Sequence, residues 1–238
     1  MIRTFKALSV LLAYPGAELK AASHEIANAL HDEGLLGPER LAALDALLAE
    51  IAGDDLYDLE ERYVALFDRS RTLSLCLFEH VHGESRDRGS AMIDLLETYR
   101  AGGFEPVGHE LPDHLPILLE FLSQRPLAEG RAMLADAAHI LEALRQRLER
   151  RESAYAAVFA ALGDLAAKAP APEALEPLKD EPDVDPNDLE AIDAAWEETE
   201  VTFGPDPNGG CPATRDMLAR METPRNPAPA RQPASQEA

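Results

Sequence analysis

Before residue 169 the apolar side chains recur at helical spacing in nearly every segment, and nowhere do they alternate long enough to make a half-buried strand. That pattern confines the chain to helices packed on helices, because a one-sided apolar stripe is stable only against another apolar surface. Proline and glycine punctuate it. Leu8, Leu11 and Leu12 form a first stripe, closed by Pro15-Gly16. Residues 17–32 carry Leu19, Ile26, Ala29 and Leu30, with Gly34 as the stop, and Pro38 suits the first turn of a third helix that Gly53 ends. Asp54 and Asp55 stand where an N-cap belongs, ahead of Leu56, Leu59, Tyr63, Leu66 and Phe67. Residues 73–81 are almost all apolar and read as one segment buried on most sides, ended by Gly83. Residues 85–100 restart the period. Pro112 opens a helix to Ser123, residues 127–151 form the longest, and a last one runs through Leu165. The expected fold is all-α, a single bundle of about nine helices.

The pattern breaks at Ala169. Residues 170–206 hold thirteen acidic groups against one lysine, a net of −12, and Pro170, Pro172, Pro177, Pro182 and Pro186 rule out a long helix. The division expected is a helical domain over 1–169 and an acidic, proline-rich, mostly disordered tail over 170–238. One short helix near 187–198, carrying Trp196, interrupts that tail. Trp196 and the VTFGP string after it are the tail's docking candidates, although solubility is the simpler role for so much negative charge.

Charge narrows the partners. The chain has 44 acidic against 22 basic side chains, a formal net charge of −22. A nucleic-acid interface needs clustered Lys and Arg to displace counterions, and an anionic membrane surface attracts the same residues. Both are disfavoured, and basic or apolar partners are favoured. No stretch reaches the roughly 18–20 apolar residues that span a bilayer. The apolar run at the amino terminus has no cleavage-site pattern and is cut by Pro15-Gly16. Cys76 and Cys211 form no CxxC pair and no disulfide framework. A reducing, cytoplasmic setting is expected.

Two polar clusters stand out. The first is Glu79-His80-Val81-His82-Gly83-Glu84-Ser85-Arg86-Asp87-Arg88. Histidines and carboxylates so close invite a metal reading. His80 and His82 lie about 200° apart on a helix, though, and cannot face one ion from it. End-capping around Gly83, with Arg86 and Arg88 paired to acids, is the better reading. The second cluster is Glu110-Leu111-Pro112-Asp113-His114-Leu115-Pro116. Asp113 suits a helix first turn, and Pro116 is tolerated there for want of an N–H. His114 reads as a general base, a ligand or a hydrogen-bonded structural histidine, the last favoured by spacing.

Enzyme signatures are otherwise missing: no G-x-S-x-G, no P-loop, no H-E-x-x-H, no G-x-G-x-x-G. His31-Asp32 superficially resembles a phosphohydrolase metal pair but ends at Gly34, as a solvated helix end would. Cys76 sits in an apolar run and reads as inert core, while Cys211 follows Gly209-Gly210 and reads as exposed.

The string FDRSRTLSLCLFEHVHGESRDRGSAMIDLLETYRAGG, followed by ELPDHLPILLEFLS and later WEETEVTFGPD, resembles the NarJ-type chaperones that assemble respiratory nitrate reductase. The likeness extends over residues 3–210. These belong to the wider TorD/DmsD group of redox-enzyme maturation proteins, which share an acidic residue–Pro–x–Asp–His element; Glu110, Pro112, Asp113 and His114 match it, with Leu111 as an extra residue. The resemblance implies a TorD-like helical bundle with no catalytic residues, no metal and no cofactor of its own. It implies binding to the N-terminus of the nitrate reductase catalytic (alpha) subunit. The apo-enzyme is thereby held competent for insertion of molybdenum cofactor, which belongs to the client, before docking on the membrane subunit. A groove for that peptide is expected from Tyr63, Phe67, Leu75, Phe78, Glu79, His80, Glu84, Arg86, Glu110, Asp113 and His114, lined mostly by Leu and Met. Tyr63 and Phe67 serve equally well as plain core. The competing readings are a metal-dependent helical hydrolase using His80, His82 and His114, and a general helical scaffold.

Overall fold

In the computed structural model the described residues are 1–69, 71–82 and 86–179, with Asp188, Glu190 and Asp193 beyond them. The chain divides into two units, 1–195 and 196–238, and the second lies wholly outside the described residues. So do the expected helix near 187–198, apart from three positions, and Trp196, VTFGP and Cys211.

Among the described residues there are eleven α-helices and no strands. α1 (Arg3–Leu11), α2 (Ala17–Glu33) and α3 (Pro38–Gly53) follow the punctuation read above. Gly34 ends α2 with φ 65°, a left-handed conformation that glycine adopts without steric cost. Pro38 opens α3 within its first turn, where its missing N–H costs nothing. Asp55 caps α4 (Leu56–Tyr63) by accepting from the Tyr57 N–H at 2.9 Å. A π-helical turn, Val64–Asp68, then carries the chain toward a 3₁₀ turn at Arg71–Leu73.

The next segment departs from expectation. Residues 73–81 are not one segment buried on most sides: the chain makes a 3₁₀ turn, an extended residue at Cys76, and then the six-residue α5 (Leu77–His82), with Leu73, Leu75 and Leu77 buried and Val81 exposed. α6 (Arg86–Ala101) follows. Pro112 does not open the seventh helix either. α7 (Leu115–Ser123) starts three residues later with Pro116 in its first turn, which leaves 110–114 free to pair elsewhere. The stretch 127–151 is two helices, α8 (Leu127–Asp136) and α9 (Ala138–Arg150), with a break at Ala137 that no glycine or proline announces. α10 (Ala156–Leu165) and the short α11 (Pro172–Lys179) complete the set. Leu175 and Leu178 of α11 are buried and the helix packs on α9, so the packed body continues to Lys179.

α7 is the central element, with seven of its nine residues buried, packed on α1 and α8. α9 packs on α10, and α10 reaches α3. One continuous core results, mostly leucine, with two aromatic clusters in it: Tyr63, Phe67 and Tyr155, and Tyr99, Phe104 and Phe121. Arg147 on α9 is 1% exposed, and its guanidinium donates to the carbonyls of Thr72 and Leu178. It ties the 3₁₀ turn and α11 to one helix.

α8 comes close to α1 because position 130 is glycine. A Cβ there would lie 2.7 Å from Cε2 of Phe5, a ring with no exposed surface. Gly130→Ala should therefore destabilise the protein by up to about 2 kcal/mol, since overpacking against a fully buried ring, at the upper end of ~1–3 kcal/mol, outweighs a helix-propensity gain of ~1 kcal/mol. Urea unfolding decides it; a gain in stability would show that the ring moves aside freely.

Candidate functional site

The two polar clusters of the sequence meet in space. Cys76 and His114 form an isolated antiparallel bridge, in which the Leu77 N–H donates to the Asp113 carbonyl at 3.1 Å and the Leu115 N–H to the Leu75 carbonyl at 2.8 Å. The bridge exists because both segments are extended just before a helix starts. Asp113 then serves α5 twice. Its carbonyl takes the Leu77 N–H and its Oδ2 takes the Phe78 N–H at 3.0 Å, satisfying amides that a short helix leaves open. It is a helix cap, as its sequence context suggests, but for α5 rather than for its own helix. Tyr99 of α6 donates its hydroxyl to the Pro112 carbonyl at 2.8 Å and fixes the same segment from behind.

Both bridge residues help line a cavity of about 210 Å³, walled by Tyr63, Phe67 and Leu75, with Cys76, His114, Asp68 and Glu110 contributing its polar surface. Tyr63 and Phe67 are 4% and 5% exposed, and the Tyr63 hydroxyl donates to the Leu12 carbonyl at 2.9 Å. They are core residues whose inner edges form a wall. Burial and the neighbouring Glu110 raise the Asp68 carboxyl. Burial, then Asp113 and Glu79, pushes the Cys76 thiol up to about 11, so the thiolate needed for nucleophilic chemistry is almost absent at neutral pH. Burial lowers His114 against the opposing pull of Glu110, Asp113 and Asp68, leaving the imidazole neutral at pH 7. The net field of the cavity is that of its carboxylates, which favours a cation.

His114 also makes the pH dependence predictable. Its value in the folded protein lies below the ordinary 6.5, so the unfolded chain takes up the proton first. Stability is full above pH 6.5 and falls as pH drops from there toward the lower folded-state value. The urea midpoint should fall between about pH 7.5 and about pH 5.5, and His114→Gln should shrink the fall; an unchanged fall would remove His114 from the account.

A groove of about 380 Å³, with Asp113 in its lining, runs between the α5–α6 wall and the α7–α9 wall. Leu77, Phe78, Val81 and Leu95 face Leu118, Met133 and Ile140 across it, and Asp113, Asp136 and His139 are its ionisable groups. Val81 is 52% exposed and Ile93, on the same helix as Leu95, is 60% exposed, so apolar surface continues outward from α5 and α6.

Of the residues expected from sequence, Tyr63, Phe67, Leu75, Glu110 and His114 line the cavity, and Phe78 and Asp113 line the groove. Glu79 and His80 line neither. Glu79 accepts from the Ser74 hydroxyl at 2.6 Å and His80 Nε2 lies 2.8 Å from the Ser74 carbonyl, so both brace the turn that leads into α5. Glu84 and the Arg86 side chain lie outside the described residues. Sequence reasoning missed Leu95, Leu118, Met133 and Ile140, because the junction that presents the last two falls inside what reads as one helix. His31, which precedes Asp32, bonds Asp45 at 2.9 Å on the surface. Among the described residues, no three His, Cys, Asp or Glu side chains gather as a metal site would require. No described helix is long and apolar enough to cross a membrane.

Comparison with known proteins agrees with this architecture of motifs. The family profile described as nitrate reductase delta subunit matches residues 18–161. The chain is 44% identical over 204 residues to the nitrate reductase molybdenum cofactor assembly chaperone NarJ of Escherichia coli (strain K12), covering 85% of this chain and 86% of that one. It is 42% identical over 156 residues to the probable nitrate reductase molybdenum cofactor assembly chaperone NarW of the same strain, covering 66% and 67%. The probable chaperone NarJ of Bacillus subtilis (strain 168) is 35% identical over 160 residues, 64% of this chain and 82% of that one.

Proposed function

The chain belongs to the nitrate reductase delta subunit family, and from that premise we propose that it is a non-catalytic assembly chaperone for a respiratory nitrate reductase. It binds the N-terminus of the catalytic alpha subunit in the cytoplasm. It holds the apo-enzyme competent for insertion of molybdenum cofactor, and delays docking on the membrane subunit until insertion is complete. The cofactor belongs to the client and the chaperone carries none.

One observation supports this most: the bridge between Cys76 and His114 joins the segments that line an apolar groove and an acidic cavity, on a strongly acidic chain. An amphipathic basic segment fits that arrangement, its apolar face in the groove and its charges toward Asp68, Glu110 and Asp136. Steering by the net charge speeds its arrival. The hydrolase reading finds no support in the geometry, since His80 is engaged with Ser74 while His114 lies in the cavity wall. A protonated Cys76 thiol is no nucleophile.

Co-purification tests the proposal. Affinity-tagged chaperone, expressed with the full catalytic subunit made without molybdenum cofactor, should capture it. Removing only the subunit's N-terminal segment should abolish capture. Equal capture of the truncated subunit would move the contact elsewhere.

A further inference from the structure

The floor of the groove holds a carboxylate that is not fully used. Asp113 has no exposed surface, its Oδ2 accepts from the Phe78 N–H, and no described residue donates to its Oδ1. A buried acceptor without a donor carries a desolvation cost, so a site that presents one gains from any ligand that supplies the donor. The charge is a separate matter. Arg88 Nη2 lies 4.0 Å from Oδ2, too far for a hydrogen bond yet close enough to balance the negative charge. What Asp113 lacks is a hydrogen bond and not a counter-ion. A second cation here would be held beside the Arg88 guanidinium.

We infer that the groove selects an apolar client segment carrying one neutral hydrogen-bond donor, a hydroxyl, carboxamide, indole or main-chain N–H, placed to reach Asp113 Oδ1. The client's Lys and Arg residues are read elsewhere, by the exposed carboxylates Asp136, Asp68 and Glu110. The inference rests on the proposed reading that the client is the N-terminal segment of the catalytic subunit. It adds the chemistry by which the groove tells that segment from any basic amphipathic helix. Sites built to hydrogen-bond a ligand group reject the analogue that lacks it far more strongly than apolar pockets reject a changed methylene.

The test is calorimetric titration of the full-length protein with the peptide copying that N-terminus. Each side-chain donor is replaced in turn by its nearest non-donating shape, each main-chain N–H by an ester, and each Lys or Arg by Gln. One donor replacement should weaken binding about tenfold at low and high salt alike, while the Gln replacements should matter only at low salt. Against Asp113→Asn the unaltered peptide should lose about tenfold and the donor-less peptide nothing further. The asparagine oxygen is taken by the Phe78 N–H, and its NH₂ then meets the ligand donor. Should Asp113→Asn fail to fold, the peptide series on the unaltered protein still decides. Saturable binding with no sensitive donor, or sensitivity only at Lys and Arg, overturns the inference and leaves the chaperone reading standing. No saturable binding of the unaltered peptide overturns both.

Discussion

Asp113→Ala is expected to lose about 3 kcal/mol of folding stability, a large share of what a domain of this size has in hand. Two losses combine. The α5 amide of Phe78 loses its acceptor, a capping loss of ~1 kcal/mol, and Arg88 is left without the carboxylate that balances it. Stranding one partner of a buried pair costs about 3–5 kcal/mol. Arg88 is 21% exposed and 4.0 Å from the carboxylate, so its penalty falls below that range, at about 2 kcal/mol. Urea unfolding followed by circular dichroism measures the total. Hydrogen exchange at the Leu77 and Phe78 amides should accelerate more than in α9. A loss below about 1 kcal/mol would mean that α5 keeps its position without Asp113, and the bridge would no longer explain the groove.

Arg147→Met is expected to cost a similar amount, about 3 kcal/mol, for a different reason. The methionine keeps the apolar stem but leaves the carbonyls of Thr72 and Leu178 without their donor in the core. Each such carbonyl costs about 1–3 kcal/mol when buried unsatisfied. Because one side chain ties both the 3₁₀ turn and α11 to α9, the effect should be local as well as global. Limited trypsin digestion should cut at Lys168 faster in the variant, as α11 detaches first. Unchanged digestion together with a stability loss under about 1 kcal/mol would show that apolar packing alone holds α11.

The elements legible in the sequence are those decided by residues within a turn of each other. Gly34 stops α2, Pro38 starts α3 and Asp55 caps α4, and each does so through its own backbone or its immediate neighbours. The break at Ala137 is not legible, because the stretch around it is mostly alanine and leucine and has no proline or glycine at the break. Nor was the start of α7, where two prolines four residues apart offered the same signal and the pairing of 110–114 with the α5 segment selected the second. The count of nine helices grew to eleven for such reasons, through the division at Ala137 and the short α11.

The site shows the same boundary between local and distant causes. Its clusters announced themselves by composition, but their union did not. Asp113 caps a helix that begins 36 residues before it, and no spacing rule reports a contact of that length. Glu79 and His80, prominent in the sequence, turn back onto Ser74, while Met133 and Ile140, ordinary in the sequence, form the opposite wall. The groove is a product of packing, so only the packed chain reveals it.

In the proposed function this groove and cavity recognise the N-terminus of a nitrate reductase catalytic subunit. Calorimetric titration of the full-length protein with that peptide and with a scrambled peptide of equal charge, at low and high salt, tests it most directly. One-site saturable binding of the native peptide alone, weakened but retained at high salt, is expected. Equal binding of both peptides, vanishing at high salt, would contradict it and reduce the interaction to the attraction of any cation for an acidic surface.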